Sequence, residues 1–194
     1  MRLSEPRIPP IEPADWGEAE KSGLGKQGEE LQANLGSDAF NVLKTMVHHP
    51  DLCRAWMGFS THLLFEQTLP PREREIAILR IGWLCQSGYE FGQHILISQK
   101  VGLTKEEIKA IVQGSDAPGW SDHERALLRE VDELHADAFI SDPVYKQLAA
   151  TYDHRQMMDL VFTVGQYNML SMALNSFGVQ LDPGVPDYKE YVGG

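Results

Sequence analysis

Residues 71–85 confine this chain more tightly than any other stretch. Pro70-Pro71 stands where a helix can begin, and apolar residues at 76, 79 and 83, flanked by 78, 81 and 84, fit a helix buried on more than one side. Such a helix needs neighbours all round it. No segment of the chain shows the apolar–polar alternation of a half-buried strand bounded by turns, so the neighbours are expected to be helices as well. The reading is an all-α protein of about seven or eight helices.

Other signals place those helices. From Ser37, a candidate N-cap, Phe40, Leu43 and Val47 begin a helical pattern that Pro50 interrupts, and Leu52, Trp56, Phe59, Leu63 and Leu64 continue one toward Leu69. Thr104 with Glu107, and Ser121 with Glu124, have the spacing of capping boxes. They open a short helix to about Val112 and a longer one whose Ala126, Leu127, Val131 and Leu134 face inward. The acidic residues Glu130, Asp132 and Glu133 then read as its solvated face. Ser141-Asp142-Pro143 caps a helix to about Tyr152, and a long apolar helix runs from about Arg155 to Ser176, interrupted by the polar group Gln166, Tyr167 and Asn168. Buried polar groups need partners, so these three are candidate pocket residues.

The ends differ in composition. Residues 1–37 are rich in proline and then glycine, an extended arm whose Ile8, Ile11, Trp16 and Leu24 are expected to lie along the body or across a neighbouring subunit. Residues 38–182 are the helical domain, and residues 183–194 read as a tail.

Reactive side chains converge on one place. Glu90 and His94 are four apart on a helix that starts near Ser87-Gly88, so they share a face and are close enough to exchange a proton. A surface ion pair has the same spacing. Glu75 rides on the preceding helix. His48 and His49 are adjacent, point about a hundred degrees apart, and are structural or surface groups; His62 is a candidate for pocket lining.

The segment PREREIAILRIGWLCQSGYEFGQHILISQKVGLTKEEI resembles the core repeat of the carboxymuconolactone decarboxylase family, and VFTVGQYNMLSMALNSFGVQLD resembles its closing helix. In the redox branch, typified by alkylhydroperoxidase D, a glutamate is followed twelve residues later by Cys-x-x-Cys and then by His. Glu75 and His94 match that register, whereas Ser87 and Glu90 occupy the cysteine positions. The likeness is therefore to the non-redox branch. It implies an alkylhydroperoxidase D-like orthogonal helical domain, assembly as a trimer or hexamer, and a lyase of aromatic-compound catabolism that acts by proton transfer on a small organic acid or lactone. It implies Glu75, Glu90 and His94 as catalytic groups and no cofactor. Arg72, one turn before Glu75, is the candidate cation for an anionic substrate, with Ser87, Tyr167 and Asn168 as further substrate-binding candidates; Arg74 and Arg80 read as surface or interface groups. A member that has kept the fold as a binding protein is the alternative, and peroxidase-like or metal-dependent chemistry lies further off.

The remaining constraints are exclusions. Seventeen Lys plus Arg against 28 Asp plus Glu give a net charge of −11, which disfavours nucleic acid and anionic membrane as partners. No signal peptide or membrane span is visible, so the cytoplasm is the expected location. Cys53 and Cys85, the two cysteines, have no CxxC spacing and read as buried, inert thiols.

Overall fold

The structure is a computed structural model that describes residues 2–35 and 40–192. Among them there are ten α-helices and no strand: α1 (Glu18–Leu35, broken at Gly25), α2 (Asn41–Met46), α3 (Pro50–Thr61), α4 (Pro71–Leu84), α5 (Gly88–Lys100), α6 (Lys105–Gln113), α7 (Asp122–Asp137), α8 (Asp142–Ala149), α9 (His154–Phe177) and α10 (Lys189–Val192). The two helices beyond the expected eight lie in the segments read as arm and tail. Ser37, the candidate cap, lies outside the described residues.

Helix α4 is the axis of the molecule. Every residue from Glu75 to Gly82 is buried, and the helix packs against α5, α7 and α9. An uninterrupted buried run on a helix means contact on all sides, which is why its apolar residues do not form a single stripe. Pro71 at its first position supplies the preset φ and lacks only an N–H that the first turn does not use.

Local rules fix most of the other boundaries. Both expected capping boxes form, Thr104 with Glu107 and Ser121 with Glu124, and Asp153 with Gln156 adds a third at the start of α9. Helix α3 ends earlier than expected and widens into a π-helical turn, His62–Glu66, so the pattern toward Leu69 is not one continuous helix. His49 accepts from the Leu52 N–H at the start of α3, and His48 bonds the Pro9 carbonyl, so both have structural partners.

One surface expectation is corrected. The acidic face of α7 is not solvated: Glu130 is fully buried, Asp132 receives the Arg80 guanidinium at 2.6 Å, and Glu133 accepts from both the N–H and the hydroxyl of Ser141. Residues 127, 130, 131 and 134 form the inward stripe at helical spacing, so Glu130 falls inside. Arg80, read as surface or interface, also donates to the Ile111 and Val112 carbonyls at 2.9 Å and closes the end of α6.

Both ends fold back on the body. The Arg7 N–H bonds Phe177 O and the Ile11 N–H bonds Lys44 O, while Leu24 is buried. At the other end, Asp182 accepts from the Asn41 N–H at 2.8 Å and from Tyr89 Oη at 2.6 Å, and Tyr191 packs edge-on against Phe91. The segment 181–192 is thus a strap across α5, where the sequence reads as tail. Among the described residues, no helix is long and apolar enough to cross a membrane.

Candidate active site

The connection from α4 to α5 puts the site together. Cys85 closes α4, Gln86 takes a left-handed conformation (φ 51°), and the Ser87 N–H bonds Gly82 O at 2.9 Å. A side chain at positive φ is uncommon outside glycine, asparagine and aspartate, so this reversal carries no sequence signal. It folds α5 back along α4 and lays the Glu90–His94 face over Glu75.

His94 then sits between two carboxylates. Its Nδ1 is 2.6 Å from Glu75 Oε2, and its Nε2 is 3.1 Å from Glu90 Oε1. Arg74 Nε donates to the other oxygen of Glu75 at 3.0 Å. The result is a continuous chain, Arg74–Glu75–His94–Glu90, and it is dry: Glu75 is 0%, Glu90 3% and His94 5% exposed. Two ring nitrogens that both face carboxylate oxygens are satisfied when both carry protons, which is the imidazolium form. Burial works against that charge, but Glu75 and Glu90 outweigh it and raise the His94 pKa to about 9. The four groups together are then neutral, two cations against two anions.

A cavity of about 70 Å³ opens beside this chain. Glu90 and His94 form its polar floor, and Phe40, Trp56, Tyr89 and Tyr167 supply aromatic walls. Tyr167 stands edge-on to the His94 ring at 5.0 Å between centroids. Burial, with the charges of Glu90 and Glu75, pushes its phenol well above the usual tyrosine range, so it stays a hydrogen-bond donor.

The structure brings some of the sequence candidates together and separates others. Glu75, Glu90, His94 and Tyr167 meet. Arg72 does not line the cavity; its guanidinium bonds Glu107 at 2.6 Å and Glu124 at 3.0 Å and ties α4 to α6 and α7. Ser87 is buried at the start of α5 outside the cavity wall, and Asn168 accepts from the Cys85 thiol at 3.0 Å. Gln166 is buried against an outer cleft with Phe59, Phe162 and Met169. His62 is half-exposed and paired with Glu66 at 3.3 Å, so it is not pocket lining. Arg74, read as a surface or interface group, is the part-buried partner of Glu75. Its side chain was missed because burial of an arginine leaves no mark on periodicity, whereas Tyr89 and Gln93, one position before Glu90 and His94, could have been read as the same wall.

The chain of charges is linear. His94 points its two nitrogens at different carboxylates, and among the described residues no three His, Cys, Asp or Glu side chains converge as metal ligands. Both thiols are raised by burial, Cys53 to about 11.

Comparison with known proteins agrees with this architecture. The profile of the carboxymuconolactone decarboxylase family matches residues 50–133, which include α3 to α6, most of α7 and the whole charge chain. The fold is similar to that of an alkylhydroperoxidase AhpD core, an uncharacterized peroxidase-related protein from Ralstonia eutropha JMP134, over 92% of this chain and 93% of that one, at TM-score 0.77 and 18% identity. A peroxidase-related protein from Silicibacter sp. TM1040 is similar over 94% and 97%, at TM-score 0.77 and 16% identity. A debrominase is similar over 91% and 92%, at TM-score 0.73 and 16% identity. No curated protein sequence matches the chain. Residues 50–133 thus match the carboxymuconolactone decarboxylase family, and the chain has an alkylhydroperoxidase D-like all-α fold.

Proposed function

We propose that the protein is a cofactor-independent enzyme of the lyase type, which moves a proton on a small organic acid or lactone held beside Glu90. The observation that carries this reading is His94, charged and buried between two carboxylates at the floor of an otherwise apolar cavity. Arg74 and Glu75 hold the charge on the ring from behind. On the cavity side, Glu90 can take the Nε2 proton and pass it on, so the pair works as donor and acceptor around neutral pH. Loss of carbon dioxide from a carbon next to a conjugated carbonyl leaves the bonding electron pair on the substrate as an enolate, and a proton delivered to that same carbon completes the reaction. Tyr167, in the cavity wall with its phenol kept protonated by burial, is our candidate donor to the carbonyl oxygen.

Redox chemistry of the thiol type has no support in these residues, since Ser87 and Glu90 stand where the paired cysteines would be. The missing cysteines favour one second reading, a binding protein that uses the same cavity without turnover. His94→Gln and Glu90→Gln separate the two. As an enzyme, each variant should fold and lose turnover by roughly a hundredfold or more, the size of an acid–base contribution; as a binding protein, ligand affinity is all that changes.

Self-association belongs to the same proposal. Met158, Phe162, Met169 and Met172 project from α9 into solvent beside Phe59, an apolar surface that a trimer or hexamer would cover. Light scattering at micromolar concentration tests it, and a monomer would rule it out.

A further inference from the structure

We infer that the first turn of α2 and the strap 181–192 form a lid over the Glu90–His94 cavity, and that Asp182 is its latch. The inference rests on the acid–base reading for the identity of the site and adds to it the way a substrate gets in. As it stands the cavity holds about 70 Å³, under half of the roughly 150 Å³ known to take a benzene. A carbon to be protonated, the carbonyl beside it and a departing carboxyl together have as many heavy atoms as a benzene ring. No substrate of that kind enters until a wall moves.

The walls differ in how they are held. Glu90 and His94 stand on α5 and Tyr167 on α9, and both helices pack directly on the buried axis α4; Trp56 and Leu64, on α3 and its π-helical turn, are buried as well. Shifting any of these opens the close-packed core. Phe40 and Val42 are half-buried, at the start of a helix of six residues whose Leu43 and Val47 root it in the core. Polar contacts hold that first turn down.

Nearly all of those contacts run through one carboxylate. The Asn41 N–H, which the first turn of a helix leaves unpaired, donates to Asp182 Oδ1 at 2.8 Å, and Asn41 Nδ2 donates to Gln180 O at 3.0 Å. Tyr89 Oη accepts from the Val42 N–H at 3.2 Å and donates to Asp182 Oδ2 at 2.6 Å, where Gln93 Nε2 also donates. Asp182 thereby gathers α2, two side chains of the α5 wall and the irregular segment that carries it. The strap seats closely on α5, since a Cβ on Gly92 would come 2.9 Å from Pro186 O and 3.1 Å from Leu181 Cδ2. Hydrogen bonds to a charged acceptor are strong while made, and at a half-buried rim water replaces them when they break. A latch of this kind closes firmly and still opens without unpacking the core. Closed, it keeps water from the charge chain; open, it admits substrate.

The Trp56 indole supplies the readout. Trp56 lines the cavity, and its Nε1 is buried with no hydrogen-bond partner among the described residues, so the exchange of its N–H with deuterium follows the access of water to the cavity. Trp120 is outside the cavity lining and its Nε1 bonds Gly114 O at 3.2 Å, so its exchange reports opening of the core. Nitrogen-15 NMR on the full chain follows both, with Trp56→Phe identifying the signal. In Asp182→Asn the Trp56 N–H should exchange about tenfold faster or more, and the Trp120 N–H at its original rate. Gly92→Ala, which lifts the strap without altering the latch, should do the same, and it carries the test alone if Asp182→Asn does not fold. An unchanged Trp56 rate in the folded variants overturns the inference, and so does equal acceleration of Trp56 and Trp120, the mark of a general loosening. Failure of the acid–base reading is distinguishable, because it would show as full turnover in His94→Gln whatever the exchange rates are.

Discussion

Glu75 Oε2 and His94 Nδ1 lie 2.6 Å apart, although nineteen residues separate them in the chain and neither side chain reaches water to any useful extent. A contact of that kind couples stability to protonation. The raised His94 pKa means that the folded state holds its proton more tightly than the unfolded chain does, so the stabilisation is present in full below about 6.5 and is lost as pH rises through about 9. Denaturant unfolding measured from pH 6 to pH 9.5 should show stability falling by a few kcal/mol across that window. In Glu75→Gln the slope should flatten, and the variant should be less stable at pH 6.5 by roughly 3 kcal/mol or more, since Arg74 and His94 both lose their partner.

Glu130 predicts a dependence of separate origin. Its carboxyl is fully buried with no hydrogen-bond partner among the described residues, and burial, together with the charge of Glu133, pushes its pKa from 4.5 to about 8. The unfolded chain ionises first as pH rises, so this group weakens the fold progressively between those two values. Glu130→Gln should therefore raise the melting temperature at pH 7.5 and change it little at pH 4.5. A loss of stability at pH 7.5 would show that the carboxylate has a charged partner.

Arg72 and Arg80 are expected to behave as scaffold. Arg72→Met and Arg80→Met each break contacts between α4 and its neighbours, and the buried Arg80 should cost more, roughly 3 kcal/mol or above, because Asp132 and two carbonyls lose their donor. Thermal melts and activity per folded molecule on the same preparations check this. A raised KM in Arg72→Met with the melt unchanged would restore it as a substrate cation.

The strap gives a packing prediction. A Cβ at Gly92 would come within 2.9 Å of Pro186 O and of Val185 Cγ1. Gly92→Ala should cost about 1–3 kcal/mol and speed amide exchange across residues 181–192, while leaving α7 and α8 protected.

What was legible in the sequence follows from how local each signal is. Helices α4 and α5, the capping boxes at Thr104 and Ser121, and the shared face of Glu90 and His94 depend on residues three or four apart, and those rules hold wherever the chain goes. Glu75 entered through the family register, not through spacing. Arg74 and Glu130 read differently from the sequence because each has an ionisable side chain that packing turns inward: Arg74 toward a glutamate that is itself buried, Glu130 within the stripe it shares with Leu127 and Val131. Periodicity counts apolar residues and passes over a buried carboxylate.

No hydroperoxide turnover through thiols is expected. Cys53 is buried with its thiol pushed up to about 11, and Cys85 is also raised and donates to Asn168, so neither presents a thiolate at neutral pH. A standard alkyl hydroperoxide assay with a dithiol reductant should give the background rate. Activity that disappears in Cys53→Ser or Cys85→Ser would contradict this.

The charge state of His94 is the claim on which the rest depends. Nitrogen-15 NMR of histidine-labelled protein reads it directly, with His94→Gln identifying the signal. Both ring nitrogens should appear protonated at pH 7 and titrate together near pH 9. A His94 ring that is neutral at pH 7, titrating at or below the ordinary 6.5, would contradict the account of a buried imidazolium held between Glu75 and Glu90.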